Sequence, residues 1–169
     1  MHPVITTQVA RRARPEDAFE VFFRESYDGL VRALTPVAGE VVAAEELVQE
    51  AMARAYDRWE RVVAMESPVG YVYATAVNLH RRCRRRAIFR PPFERHQSAA
   101  ADPAEAIVLR NDLLAAVARL PAGQRDALLL VEWLGVDSVS AGRILGIEPS
   151  SVRARVHRAR AALQQQITR

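Results

Sequence analysis

Apolar residues recur at three- and four-residue steps in one segment of this chain after another, and no segment alternates them with polar residues at every second position. That period lays one apolar stripe along each helix and supplies nothing to line a sheet, so the sequence predicts an all-helical protein. Phe19, Phe22, Phe23, Tyr27, Leu30, Val31 and Leu34 form the first stripe, and Thr35-Pro36 is expected to end it because proline lacks the N–H that a helix needs. Ala44, Leu47, Val48, Ala51, Met52, Ala55 and Trp59 form a second stripe, on a helix from about Val42 to Arg61. Ser67-Pro68 supplies an N-cap and a first helical residue for a third helix, expected to reach about Ala87. Its inner face reads Val69, Val72, Ala76, Leu79 and Cys83, which makes Cys83 a small core residue rather than a redox sensor.

From Arg90-Pro91-Pro92 to Ala101 there is no amphipathic period and two prolines are adjacent, so this stretch reads as a linker. The expected organisation is a flexible basic arm at 1–15, a helical domain at 16–89, a linker at 90–103 and a second helical domain at 104–169. In the second domain, Asp102-Pro103 and Pro121 each open a helix. Asp137 then caps a short helix from Ser138 to Leu145, Gly146-Ile147 makes a tight turn, and Pro149 starts the last helix.

Several classes of function fall away. No apolar run approaches the ~20 residues of a membrane helix, and Met1-His2-Pro3-Val4 lacks the build of a signal peptide, so no membrane insertion and a cytoplasmic location are expected. One cysteine and four histidines provide neither a disulfide nor a structural zinc site, and no metal or cofactor is expected. With no phosphate loop, nucleophile elbow or strand scaffold for paired carboxylates, the chain does not read as an enzyme.

Charge is more informative. All 24 basic side chains are arginine, against 20 acids, and the net charge of +4 conceals strong segregation. Seven acids and three arginines lie between Glu40 and Glu66, whereas seven arginines and one acid lie between Arg81 and Arg95. From Arg143 to the end, six arginines face only Glu148. One acidic and two basic surfaces imply partners of both electrostatic preferences.

The short helix, glycine turn and second helix match a helix-turn-helix, whose second helix enters the major groove. With Val152, Val156 and Leu163 buried, the opposite face centres on Ala154, His157, Arg158 and Ala161. Arg158, His157 and Arg153 are expected to read bases and Arg155 and Arg160 to meet phosphates. On the third helix, Tyr71, Asn78, Arg81, Arg82 and Arg85 fall on the outer side, a mixture suited to stacking and capturing bases. On the second, Glu46, Gln49, Glu50 and Ala53 form the solvent-facing stripe.

In this order, these motifs resemble the sigma-70 family, specifically the small extracytoplasmic-function sigma factors of bacterial RNA polymerase. Ala44-Glu45-Glu46-Leu47-Val48-Gln49-Glu50-Ala51-Met52 is similar to the family's polymerase-binding helix, and Ser67-Pro68-Val69-Gly70-Tyr71-Val72 through Asn78 to its promoter-opening helix. Leu120-Pro121, Gln124-Arg125, Leu145-Gly146-Ile147 and Val152 through Arg160 are similar to its minus-35-binding helix-turn-helix. The resemblance implies two small helical domains, one like sigma region 2 and one like region 4. It implies core polymerase (clamp coiled coil and flap), promoter DNA and an anti-sigma factor as partners. Glu46, Gln49 and Glu50 would contact core; Tyr71, Asn78, Arg81, Arg82 and Arg85 would contact the minus-10 element; Arg153, Ala154, Arg155, His157, Arg158 and Arg160 would contact minus-35. The chain departs from the family pattern with Tyr71 for a tryptophan, Arg82 and Glu46 for aspartates, Gly142 in the first helix of the helix-turn-helix, Ala154 for a serine and Glu148 at the last helix's cap. The alternatives are a stand-alone helix-turn-helix regulator that binds operator DNA without polymerase, and a module that sequesters polymerase without initiating.

Overall fold

A computed structural model of the chain describes residues 15–89 and 112–167. Every regular element among them is helical: α1 (Pro15–Ala38), α2 (Val41–Tyr56), a single turn α3 (Trp59–Val62), α4 (Pro68–Phe89), α5 (Asp112–Arg119), α6 (Ala122–Leu128), α7 (Ser138–Leu145) and α8 (Pro149–Ile167). The expected arm and linker, and the helix start at Asp102-Pro103, lie outside the described residues.

Helix ends obey their local chemistry. The Ser67 hydroxyl accepts a hydrogen bond from the Gly70 N–H (3.1 Å) at the start of α4. Asp137 Oδ1 accepts from the N–H groups of Val139 (2.8 Å) and Ser140 (3.0 Å) at the start of α7, and Gly146 ends that helix with φ +66°. Ser67→Ala is expected to cost about 1 kcal/mol, the usual worth of an N-cap hydroxyl, read as a lowered urea midpoint with an unchanged m-value.

Three expectations change. Thr35-Pro36 does not end α1, which continues to Ala38 and stops at Gly39 with φ +97°. Only one helical hydrogen bond is forfeited at Pro36, and the Gly39 N–H still reaches the Thr35 carbonyl (2.8 Å). The second helix breaks at Asp57-Arg58 instead of running to Arg61. The break lets Trp59 turn inward, its ring 5.1 Å from Phe19 and 5.0 Å from Phe22, a packing worth more than two further helical residues. Leu129–Trp133 widens to a π-turn, with the Leu134 N–H on the Leu129 carbonyl (3.0 Å).

The third correction is Cys83, which is exposed. Arg81, Arg82, Arg84 and Arg85 are exposed with it. Val72 and Ala76 of the expected inner face are buried, joined by Tyr73 and Val77, while Val69 and Leu79 are half-buried against the core. That face is wider than one bundle requires because α4 packs on α1 and α2 on one side and on α7 on the other. The buried side chains of both halves accordingly belong to one continuous core, from Leu30, Leu34 and Met52 to Leu129, Leu130 and Val152.

Candidate nucleic-acid interface

Where α2 ends beside α4, Arg54, Asp57, Arg58, Tyr71, Thr75, Asn78, Leu79 and Arg82 line a recess of about 300 Å³. That lies at the small end of ligand pockets and fits a single base rather than an extended ligand. Residues 71, 75, 78 and 82 fall within about 60° on a helix turning 100° per residue, so one stripe of α4 forms one wall. The Tyr71 ring is half-buried there, and Asn78 and Arg82 are exposed at the mouth. Arg54 is held by Glu50 (2.8 Å), while no described residue pairs with Arg58 or Arg82. The recess therefore combines an aromatic face, an amide with donors and acceptor, and cations for a phosphate.

Tyr71, Asn78 and Arg82 are thus brought together as the sequence predicts, but Arg81 is not with them. Its guanidinium turns to the other side of α4 and donates to Asp126 Oδ2 of α6 (2.9 Å), while the Tyr73 hydroxyl donates to Asp126 Oδ1 (3.1 Å). Arg85 is exposed beyond the recess. Asp126 is 3% exposed, and burial pushes its carboxyl above the usual range against the pull of Arg81 and the Tyr73 hydrogen bond. Burial and the adjacent Asp126 charge raise the Tyr73 phenol well above its ordinary value. His80 is lowered by burial and then by Arg84, Arg125 and Arg81, so it is neutral near pH 7. Sequence periodicity missed Asp57 and Arg58, because a helix drawn through Arg61 hides the turn that places them at the recess, and it missed Arg54, which stands on α2 ahead of that turn.

On α8, Val152, Val156 and Ala159 are buried and Arg153, Ala154, His157 and Arg158 form the exposed face, as the sequence predicts. The flanking arginines behave differently. Arg160 is paired with Glu132 (2.6 Å), whose hydrogen bond holds it more firmly protonated. Arg155 is half-buried with its guanidinium over Gly123 of α6, where an added methyl would lie 2.9 Å from Nη1. Gly142 serves the same close approach between α7 and the turn: a methyl there would lie 2.7 Å from the Ile147 carbonyl oxygen.

Glu46, Gln49 and Glu50 are exposed along α2. Glu50 shares its carboxylate with Arg54, and the Gln49 amide lies 3.4 Å from the Tyr27 hydroxyl. No described helix is long and apolar enough to cross a membrane, and no group of three metal-ligating side chains occurs among the described residues.

Comparison with known proteins agrees with this geometry. The chain matches Sigma-70 region 2 over residues 22–88 and Sigma-70, region 4 over residues 110–163, together more than half of its length. It is similar to the RNA polymerase sigma-E factor of Streptomyces coelicolor, with 27% identity over 151 residues covering 88% of this chain and 85% of that one. The protein of the same name from Streptomyces antibioticus is 28% identical over 151 residues, covering 88% and 84%. Among solved structures, the sigma factor RpoE of Bartonella quintana, in complex with the anti-sigma factor NepR, shares the fold with TM-score 0.68 and 19% identity, covering 89% of this chain and 96% of that one. CnrH in complex with the cytosolic domain of CnrY does so with TM-score 0.62 and 21% identity, covering 95% and 93%. An all-helical chain with an arginine-rich helix-turn-helix behind a base-sized recess, matched in order by both sigma regions, belongs to the sigma-70 family of RNA polymerase sigma factors, in its extracytoplasmic-function group.

Proposed function

We propose that this chain binds core RNA polymerase and directs it to start transcription at promoters carrying a minus-10 and a minus-35 element. The observation that carries this reading is the recess between α2 and α4. A base leaves its duplex only if stacking and polar contacts repay a few kcal/mol, and Tyr71, Asn78 and Arg82 provide them around a cavity of suitable size. Arg58 and Arg54 at the rim suit the phosphates of the same strand. The exposed Arg153, Ala154, His157 and Arg158 suit the major groove of minus-35.

The acidic stripe Glu46, Gln49 and Glu50 is the surface for the polymerase clamp coiled coil, and the region-4-like half meets the flap. Residues 16–89 then serve core and minus-10, and 104–169 serve minus-35. One structural neighbour is described in complex with the anti-sigma factor NepR and another with the cytosolic domain of CnrY, which supports an anti-sigma factor for this chain as well.

Mixed with purified core polymerase from its own bacterium, the chain should form a complex and give a discrete transcript from a cognate promoter. Absence of any complex with core overturns the reading. Tight, sequence-specific duplex binding without core would identify a stand-alone regulator, and core binding without a transcript would identify a sequestering module.

A further inference from the structure

One group in the recess between α2 and α4 is of no use to a phosphate. Asp57, at the C-terminal end of α2, lines it together with Arg54, Arg58 and Arg82. Arg54 turns to Glu50 (2.8 Å), and no described residue pairs with Asp57, although two further arginines share the recess with it. A carboxylate on a nucleic-acid surface repels every phosphate near it, and it accepts hydrogen bonds but donates none. Within a DNA strand the only donors for such a group are the amino and imino N–H of the base edges, since phosphates carry acceptors alone. An unpaired aspartate in a recess sized for one base is therefore placed to read the base rather than to hold the strand.

Thr75 points to the same preference. Its hydroxyl donates to the Tyr71 carbonyl (2.8 Å), which commits its one proton and leaves only lone pairs for a ligand. Asp57 and Thr75 are thus fixed acceptors in the recess, whereas the Asn78 amide both donates and accepts. Cytosine, adenine and guanine each carry an exocyclic amino group, and thymine puts a carbonyl oxygen where cytosine puts its amino group. Against a carboxylate the amino group makes a charge-assisted hydrogen bond, while the carbonyl oxygen meets a second acceptor.

We propose that Asp57 determines which base the recess takes: its carboxylate, seconded by Thr75 Oγ1, accepts from the exocyclic amino group of a captured base and rejects thymine. This rests on the reading of the recess as a minus-10 base site and adds the choice of base to it. Arg58, unpaired at the rim, holds a phosphate whatever the base, so it carries affinity without selectivity.

Cytosine against uracil tests this without the methyl of thymine, because the two rings have the same size and differ only at the hydrogen-bonding edge. Holoenzyme assembled from the full chain and core polymerase is titrated with fluorescein-labelled fork DNA whose minus-10 non-template bases are single-stranded. Each of those positions carries cytosine, uracil, adenine or guanine in turn. At one position cytosine should bind at least about fivefold more tightly than uracil, the low end of a good base contact. Asp57→Asn offers an amide that serves a carbonyl as well as an amino group, and it should bring that ratio to within about twofold while leaving the other positions as they were. Arg58→Gln should weaken cytosine and uracil alike, flatten the salt slope by about 0.7 and leave the ratio unchanged. Adenine and guanine rank the other amino-bearing bases against cytosine, and uracil above all three overturns the assignment.

A cytosine-to-uracil ratio that Asp57→Asn leaves unchanged at every position overturns the proposal, as does an equal loss of that ratio from Arg58→Gln. Asp57 is exposed and unpaired, so Asp57→Asn should keep the unfolding midpoint of the unaltered chain. Should it not fold, Thr75→Val carries the test: it keeps the shape of the side chain, removes the second acceptor and should lower the ratio, and an unchanged ratio overturns the proposal. Failure to assemble a holoenzyme refutes the sigma-factor reading instead. The chain alone then decides on short single strands, all deoxyuridine against alternating deoxycytidine and deoxyuridine, where a preference for the second that Asp57→Asn abolishes supports the proposal and equal binding overturns it.

Discussion

Gly142→Ala should lower stability by about 1–2 kcal/mol, whereas Gly29→Ala, the same change in another helix, should raise it by about 0.5–1 kcal/mol. Alanine is worth up to about 1 kcal/mol more than glycine inside a helix, because it restricts the unfolded chain. At Gly29, in the middle of α1, the added methyl meets nothing within 4 Å, so that gain is kept. At Gly142 it would lie 2.7 Å from the Ile147 carbonyl oxygen, and also close to the Pro149 nitrogen, at 3.5 Å. Those are backbone atoms of the turn, so relief requires α7 and α8 to move apart, at an overpacking cost of about 1–3 kcal/mol. Thermal unfolding of the two variants beside the unaltered chain should show midpoints displaced in opposite directions. On the proposed function Gly142→Ala should also weaken minus-35 binding, because a displaced turn would change the angle of α8. A Gly142→Ala midpoint at or above that of the unaltered chain would mean that the turn is not packed as described.

Arg158→Ala is expected to weaken holoenzyme binding to minus-35 duplex by about 5- to 150-fold, equivalent to about 1–3 kcal/mol, and to relax the preference at one base pair. Its side chain is exposed on the face of α8 opposite Val152 and Val156, and no described residue pairs with it, so its loss removes a contact without disturbing the fold. Arg155→Ala separates the roles. If Arg155 meets a phosphate, the change weakens all sequences alike and reduces the salt slope by about 1. Arg155 covers Gly123, so this variant should also lose thermal stability while Arg158→Ala does not. The measurement is affinity for a panel of minus-35 point variants at several salt concentrations, together with unfolding midpoints. Indistinguishable profiles for Arg158→Ala and Arg155→Ala would show that the face assignment of α8 is wrong.

Much of the architecture is legible from local rules. The caps at Ser67 and Asp137, the turn at Gly146 and the buried stripe of α8 depend on residues within a few positions of one another, and each stands where the sequence predicts. The three corrections have separate causes. Trp59 leaves α2 because Phe19 and Phe22, forty and thirty-seven positions earlier, offer it a ring cluster. Cys83 is exposed within a run, Arg81 to Arg85, in which every residue faces solvent, although its helical position continues the buried stripe. The continuation of α1 past Pro36 is decided by the glycine that can still close its final turn.

Residue types, helix faces and the segregation of charge were determined by the sequence, because side chains three and four apart share a helix face whatever surrounds them. The partners of those charges were decided only by tertiary structure. Tyr73 and Asp126 stand 53 positions apart, and Arg81 and Asp126 stand 45 apart. An acid on the inner side of α6 and an arginine on α4 carry no local signal that they will meet. Their pairing follows from how two amphipathic halves share one core, and it moves Arg81 from the recess that holds Tyr71, Asn78 and Arg82 to the contact between the halves.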